Sequence, residues 1–142
     1  MAEPNTIQVD IVSAEGELYS GPAAVVFAPA QEGDVGIYPH HAPLLTLLKA
    51  GEVRVQMPDG VEQFFFVGGG ALEVQPHKVT VLADTALRAR DIDEAAALAA
   101  KQRAEDALKD KAGHVSYAEA LAELARAAAQ LKLLERLRKP RG

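Results

Sequence analysis

Short apolar runs recur along the first 87 residues, with turn residues between them, at a spacing typical of an all-β fold. Apolar and polar side chains alternate over residues 7–11, as in a half-buried strand. Further strands are predicted over 23–28, 35–37, 44–48, 53–57, 64–66, 72–74 and 79–82. Turns are predicted at 14–17, 32–34, 50–51, 58–60 and 76–77. No segment here has the length and period of an amphipathic helix, so we expect a β-sandwich or barrel.

The pattern changes near residue 88 to strong helix formers without internal Gly or Pro. Helices are predicted over 92–110 and 117–139, with Ala112-Gly113-His114 between them and Pro140 after the second. Asp91 with Glu94, and Ser116 with Glu119, have the spacing of capping boxes. We therefore predict an N-terminal β-sandwich over 1–87, followed by a C-terminal antiparallel two-helix hairpin over 88–142.

The predicted contact between the two helices is rich in alanine. The apolar stripe of the second helix comprises Leu121, Leu124, Ala128, Leu131 and Leu134. The facing side of the first helix comprises Ala96, Ala99, Ala100 and Ala107, with Leu98 and Leu108. Alanine has the best helix propensity but buries little apolar surface. We therefore expect helices that persist while their mutual packing is easily exchanged.

Charge and composition divide at the same position. The chain has a net charge of -5, but residues 1–87 hold 3 Lys and Arg against 11 Asp and Glu, a net -8. Residues 88–142 hold 12 against 9, a net +3. Of the 19 Gly and Pro residues, 16 precede residue 88, whereas 16 Ala lie among the last 55 residues. The sequence thus joins two pieces of different construction.

Several classes of protein are excluded by composition. With no Cys, the chain has no disulfide, no thiolate nucleophile and no Cys-based metal site. The longest apolar run, residues 23–28, is too short to span a bilayer. The first residues lack the basic and apolar regions of a secretion signal, so we expect none.

The residues give no catalytic or metal constellation. His40 and His41 are adjacent, so on an extended segment their side chains point in opposite directions and do not converge on a metal. Gly68-Gly69-Gly70 lacks the Gly-Lys-Ser/Thr ending of a phosphate loop and is interpreted as a bend or bulge. No serine has a Gly-x-Ser-x-Gly context. We therefore predict no catalytic residue, no metal and no cofactor.

A basic run follows the second helix stripe and comprises Arg136, Arg138, Lys139 and Arg141. Three interpretations are open: compensation of the helix dipole, an anionic protein partner, and nucleic acid or lipid. The acidic total and the absence of interleaved aromatic residues make the third the weakest, so we expect no nucleic acid partner.

Five segments of the sequence resemble a known family. Residues 33–46, GDVGIYPHHAPLLT, are similar to the Gly-Ile-x-Pro-Gly-His-Ala-Pro-Leu-Leu signature of the epsilon subunit of bacterial F-type ATP synthase. Residues 9–15 (VDIVSAE), 69–74 (GGALEV), 79–86 (VTVLADTA) and 122–125 (AELA) also resemble it, in order along the chain. The family has Gly where this chain has His40, so either a special backbone angle is not required there or His tolerates it.

The resemblance implies a non-catalytic subunit of the central stalk. In the family, the β-sandwich lies at the foot of the rotor against the gamma subunit and the membrane ring of c subunits, and it helps couple proton flow to ATP synthesis. The hairpin folds on the sandwich or extends along gamma towards the alpha and beta subunits, where it inhibits ATP hydrolysis. The implied location is peripheral, on the cytoplasmic face of the bacterial inner membrane, and membrane association is indirect through the complex.

The resemblance also implies roles for single residues. By position, Asp34 and His41 match the loop that faces the c ring, with turn polarity as the alternative. An acidic segment of the beta subunit would suit the basic residues of the second helix, namely Arg126, Lys132, Arg136, Arg138 and Lys139.

Some family members bind ATP through Ile/Leu-Asp-x-x-Arg-Ala at the first helix. Here Ile92, Asp93 and Ala97 fit that motif, but Ala96 replaces the Arg. Arg103 matches a further basic position of those members. Because the guanidinium best suited to a phosphate is missing, we predict weak or no ATP binding.

Two other classes of function stay open on the sequence alone. One is a stand-alone ligand-binding β-sandwich whose helical hairpin serves oligomerisation. The other is a small hydrolase, for which the sequence lacks a nucleophile, base and oxyanion site.

Overall fold

The computed structural model describes residues 5–110 and 116–139. The chain divides into two compact units, Met1–Arg88 and Ala89–Gly142. The first, called the β unit below, contains the strands β1 (Ile7–Ser13), β2 (Gly16–Ala23), β3 (Val25–Ala30), β4 (Gly33–Ile37), β5 (Leu44–Gln56), β6 (Glu62–Gln75), β7 (Lys78–Ala83) and β8 (Ala86–Arg88). The second, called the hairpin, contains a 3-10 turn at Ala89–Asp91 and the helices α1 (Glu94–Lys109) and α2 (Tyr117–Arg138).

The strands form one hydrogen-bonded network shared between two layers. Within the described residues, the order is β2-β1-β7-β6-β5-β3-β4, and β8 pairs with β6. The 14-residue β6 pairs with β8 in its first half and with β7 in its second half, and β5 runs beside it over both halves. One layer is therefore β2-β1-β7-β6-β5, and the other is β8-β6-β5-β3-β4, as predicted for a sandwich.

The change of partner along β6 occurs at the glycines that the sequence analysis interpreted as a bend. Gly69 and Gly70 have φ of +100° and +134°, which side chains rarely adopt. A Cβ at Gly70 would overlap the Leu82 carbonyl oxygen and lie 2.9 Å from the Ala83 Cα. Glycine is thus needed at Gly70 both for its backbone angle and for the close approach of β7.

The core of the β unit lies between the two layers. It is formed by fully buried apolar side chains from seven strands, the largest of which include Phe65, Ile7, Ile11, Ile37 and Leu72. Among the described residues, no charged side chain is buried, and Tyr19 is the one buried residue whose side chain carries a polar atom. The β unit is therefore held together by apolar burial, without an internal polar network.

One predicted turn is wrong. Residues 44–48 and 53–57 were predicted as two strands joined at Ala50-Gly51, but β5 runs without interruption through both. Gly51 pairs with Val67, and a Cβ at Gly51 would lie 2.8 Å from the Pro29 Cβ. This glycine allows β3 and β5 to approach each other and does not turn the chain.

Three other strand features differ from the sequence prediction. The apolar run 23–28 is divided, because β2 ends at Ala23 and β3 begins at Val25. Strand β2 was missed because, as an edge strand, it buries only Tyr19 and Ala23 fully. Strand β8 was missed because it has three residues. The hairpin turn at residues 58–60 is confirmed, with Met57 and Val61 joined by a 2.8 Å backbone hydrogen bond.

The caps of the two helices differ in how well the sequence predicted them. Asp93, not Asp91, is the N-cap of α1, and its carboxylate accepts a hydrogen bond from the Ala96 N–H at 3.1 Å. Asp91 was the wrong choice because it belongs to the preceding 3-10 turn. Ser116 caps α2 as predicted, accepting from the Glu119 N–H at 3.1 Å. The predicted stop at residues 112–114 lies outside the described residues.

An alanine seam lies where α1 packs against α2. The two helices bury one leucine, Leu133 of α2, and two alanine pairs, Ala97 and Ala104 on α1 and Ala120 and Ala127 on α2. Each pair is seven residues apart and therefore lies on one face of its helix. The alanine-rich contact is as predicted, but the faces are rotated relative to the prediction. Leu124, Leu131 and Leu134 are half-buried, whereas the predicted contact residues Ala96, Leu98, Ala99, Leu121 and Ala128 are exposed.

Candidate functional site

Asp34 and His41 lie near opposite ends of β4. Asp34 is exposed near the start of the strand, opposite Pro29 of β3. His41 is half-buried in the loop after the strand, with its Nδ1 2.6 Å from the Ala42 carbonyl oxygen. At about 3.3 Å per residue, the strand from Asp34 to Ile37 alone separates them by about 10 Å. The two candidate residues therefore belong to different ends of β4.

His40 holds the loop between β4 and β5 against the turn between β6 and β7. Its φ is +68°, so the special backbone angle is present and His tolerates it. The His40 N–H donates to the Pro76 carbonyl oxygen at 3.0 Å. Its ring meets the His77 ring edge-on, with centroids 6.2 Å apart. Of the two alternatives left by the sequence, the second is confirmed.

An apolar row crosses the outer face of one layer. Leu47 pairs with Ala71, Ala71 with Leu82, and Leu82 with Val12. Leu47 is 57% exposed and Leu82 is 48% exposed. These four residues, called the outer row, form an exposed apolar strip of the kind that marks protein contact surfaces. The row was not predicted from the sequence. The signal that could have revealed it is the run 44–48, where neighbouring leucines such as Leu47 and Leu48 place apolar side chains on both faces of the strand.

The five basic candidates on α2 do not share one face. Lys132 and Arg136 share a face of α2 at i, i+4 spacing, and Lys139, the C-cap, follows them with its Nζ 3.5 Å from Glu135 Oε1. Arg126 lies six residues before Lys132 and therefore points elsewhere. Arg138 donates from Nη1 to Glu94 Oε2 of α1 at 2.6 Å. The helix thus presents two basic residues on one face, with Lys139 after them, and Arg138 is engaged across the hairpin.

Residues of the degenerate nucleotide motif have structural partners within the hairpin. Asp93 is occupied as the N-cap of α1, Ala97 is buried in the alanine seam, and Ile92 is half-buried. Arg103 donates to Glu123 Oε1 of α2 from Nε at 3.0 Å and from Nη2 at 2.7 Å. Arg103 also lies ten residues beyond Asp93, about 15 Å along the helix. The structure therefore does not bring these residues together around a phosphate.

A polar cluster on the outer face of the β unit perturbs the pKa of Asp10. The Asp10 carboxylate accepts hydrogen bonds from Gln8 at 3.0 Å and Ser20 at 2.8 Å, and Lys78 Nζ lies 2.9 Å away. The bond from Gln8, with those from Lys78 and Ser20, lowers the pKa of Asp10 from its ordinary 3.8. The cluster is a surface network that joins β1, β2 and β7.

The described residues hold neither a metal cluster nor a membrane-spanning helix. In residues 5–110 and 116–139, no group of three or more His, Asp or Glu side chains is placed to hold a metal ion. Over the same ranges, no helix is long and apolar enough to cross a membrane.

Comparison with known proteins gives matches over both units. Residues 6–89 match the family model described as ATP synthase, Delta/Epsilon chain, beta-sandwich domain. Residues 90–135 match the model of the long alpha-helix domain of the same chain. An ATP synthase epsilon chain from Nitrosococcus oceani is 66% identical over 137 residues, which cover 96% of this chain and 98% of that one. Its counterpart from Halorhodospira halophila is 64% identical and covers 95% and 96% of the two chains.

Solved structures show the same fold at low identity. A chain of the Euglena gracilis mitochondrial ATP synthase, from a structure of OSCP, F1 and c-ring, has a TM-score of 0.74 at 19% identity and covers 96% of this chain and 84% of its own. A chain of the Tetrahymena thermophila central stalk and c-ring has a TM-score of 0.60 at 12% identity, with coverage of 89% and 95%. Family models over both units, with close relatives along almost the whole length, establish that the chain belongs to the ATP synthase epsilon-chain family.

Proposed function

We propose that this protein is a non-catalytic rotor subunit in the central stalk of a proton-translocating ATP synthase. The observation that carries the proposal is the match through both units to bacterial epsilon chains. Such a subunit helps couple proton flow to ATP synthesis, and its partners are the gamma subunit, the c-subunit ring and the beta and alpha subunits. A stand-alone binding sandwich or a small hydrolase would not require this match along the chain.

The β unit, residues 1–87 in the domain division from the sequence, is the coupling part of this proposal. The outer row offers exposed apolar area for a protein partner of the stalk. Asp34 and His41 are proposed as contacts to the c ring and gamma. Because these two lie at different ends of β4, they would touch different parts of those partners.

The hairpin, residues 88–142, is the regulatory part and is proposed to inhibit ATP hydrolysis when it extends. Lys132 and Arg136, with Lys139 after them, supply positive charge for an acidic segment of the beta subunit, and Arg126 and Arg138 would add to it from other faces. Opposite charges would steer and hold the extended state, and salt would weaken the effect.

The proposed location is peripheral, on the cytoplasmic face of the bacterial plasma membrane, through the other subunits. The described helices include none that could cross a membrane. We propose that the partner subunits attach the chain to the membrane.

ATP is proposed to bind this chain weakly or not at all. Ala96 lacks a guanidinium, and Arg103 already donates twice to the Glu123 carboxylate. Calorimetry of the chain with ATP should therefore give weak or undetectable binding, and micromolar affinity would contradict the proposal.

Truncation after Arg88 tests the division of function. Arg88 should be retained, because its Nη2 donates to the Leu18 carbonyl oxygen at 2.6 Å and thereby ties β8 to β2. We expect the shortened chain to support assembly and proton-driven ATP synthesis, while ATP hydrolysis rises above that of the complete complex. A full-length variant with Gln at Lys132, Arg136 and Lys139 should also raise hydrolysis if charge is the cause. Unchanged hydrolysis in the truncated complex would refute the inhibitory role.

A further inference from the structure

Two ion pairs between described residues join α1 to α2. Arg138 Nη1 lies 2.6 Å from Glu94 Oε2, and Arg103 Nη2 lies 2.7 Å from Glu123 Oε1. Glu94 is the first residue of α1 and Arg138 is the last of α2, so their pair closes the open end of the hairpin. The Arg103–Glu123 pair joins the second half of α1 to the first third of α2. One pair therefore lies at the open end of the hairpin, and the other lies towards its opposite end.

The alanine seam beside these pairs contributes less apolar burial than a leucine seam would. Of the five residues that the described parts of α1 and α2 bury, four are alanines with a single methyl group each, Ala97, Ala104, Ala120 and Ala127, and the fifth is Leu133. A leucine seam would bury several carbons at each position. Because four of these five residues are alanines, less apolar area is lost on separation than in a leucine seam, and charge pairs have a larger relative effect on whether α1 and α2 stay together.

The antiparallel arrangement strengthens the pair at the open end. It brings the positive end of the α1 dipole beside the negative end of the α2 dipole, and each end carries the opposite charge, Glu94 and Arg138. The hydrogen bond from Arg138 lowers the pKa of Glu94, and the same bond raises the pKa of Arg138. Both side chains are therefore ionised over the physiological pH range.

We propose that the Glu94–Arg138 and Arg103–Glu123 pairs act as an electrostatic clasp that holds the hairpin closed until an acidic partner segment competes for Arg138. The competition with a partner rests on the proposed function, whereas the clasp itself is a property of the isolated chain. The clasp makes closure of the hairpin depend on ionic strength and on two carboxylates, without any nucleotide.

Amide hydrogen exchange of the full-length chain tests the clasp. Replacing Glu94 or Glu123 with Gln should each raise the exchange rate of α1 amides about two- to fivefold, which is the range expected for exposed ion pairs. Raising the salt concentration should speed exchange in the unmodified chain and change the Gln variants less.

The matched control is Glu135→Gln. Glu135 pairs with Lys139 at 3.5 Å within α2, so this substitution changes the charge equally but breaks no pair across the hairpin. We expect α1 exchange in this variant to match the unmodified chain. The double variant Glu94→Gln with Arg138→Gln should exchange no faster than either single variant if the two residues act as a pair. Equal exchange in the Glu94→Gln and Glu135→Gln variants would overturn the clasp.

Hydrolysis by assembled ATP synthase separates the clasp from the proposed function. Glu94→Gln should open the hairpin more often and lower ATP hydrolysis relative to Glu135→Gln. Faster α1 exchange with unchanged hydrolysis would support the clasp and contradict the inhibitory role of the hairpin. Altered hydrolysis with unchanged α1 exchange would overturn the clasp, because Glu94 would then act on a partner directly.

Discussion

Replacing Gly70 with Ala should destabilise the β unit far more than the same replacement at Gly33. The two glycines have almost the same φ, +134° and +136°. A Cβ at Gly33 would meet no atom within 4 Å, whereas a Cβ at Gly70 would overlap the Leu82 carbonyl oxygen. The comparison therefore separates the cost of the backbone angle from the cost of the close approach between β6 and β7.

The magnitude follows from these two costs. Holding Ala at such a φ costs about 1–2 kcal/mol, and this applies to both variants. At Gly70 the neighbouring chain must also retreat to reach ordinary contact, by about half an ångström at the Ala83 Cα, 2.9 Å away, and by about one ångström or more at the Leu82 carbonyl oxygen. That movement strains the flanking backbone bonds from Asp84 to Gly69 and from Gly68 to Thr85, at 3.0 and 2.8 Å. With about 1 kcal/mol for each bond, Gly70→Ala should cost about 3–4 kcal/mol in total.

Urea unfolding followed by tyrosine near-ultraviolet circular dichroism measures the difference. Tyr19 is buried against Phe65, with ring centroids 5.6 Å apart, so its signal reports the core of the β unit. The midpoint should fall more for Gly70→Ala than for Gly33→Ala, while the slope stays unchanged. Equal losses of unfolding free energy in the two variants would refute the reasoning from close approach.

Three further predictions concern other parts of the chain. Folding lowers the pKa of Asp10, so the stabilising contribution of its carboxylate is present above about pH 4 and is lost as the pH falls through the folded pKa. The variant Asp10→Asn should therefore show a weaker dependence of the urea midpoint on acid pH. An unchanged dependence would contradict this prediction. His40→Gly should raise the free energy of unfolding by about 0.5–1 kcal/mol by relieving a φ of +68°, and a lower urea midpoint would mean that the contact of the ring with His77 matters more. Ala104→Leu should overpack the alanine seam and destabilise the hairpin by about 1–3 kcal/mol in thermal melts at 222 nm, whereas Ala99→Leu at an exposed position should not.

The sequence predicted the sandwich, the hairpin and most of the strands because each depends on local periodicity. Where the prediction from sequence was wrong, the structure depended on a contact between residues far apart in the chain. Gly51 was assigned to a turn because glycine favours turns, but the reason for glycine there is Pro29 on another strand, 22 residues earlier. Likewise, Asp91 and Asp93 are both good caps, and only the 3-10 turn before α1 decides between them.

The candidate sites were predictable as residue types but not as arrangements. The rotational phase of α1 against α2 decides which side chains meet, and a small phase error moved the predicted contact away from Ala97 and Ala104. The same phase places Arg103 beside Glu123, 20 positions away. No local pattern in the sequence encodes that pairing, so the clasp emerged only from the folded hairpin.

The passage of β5 and β6 through both layers has a mechanical consequence. In a sandwich whose layers touch only through side chains, a sideways load can slide one layer over the other by breaking weak apolar contacts. Here two neighbouring strands of 13 and 14 residues belong to both layers, so the backbone itself carries the load from one to the other. Sliding would require stretching covalent chain and breaking the ladder between β5 and β6. The β unit is therefore suited to transmit torque as a stiff body.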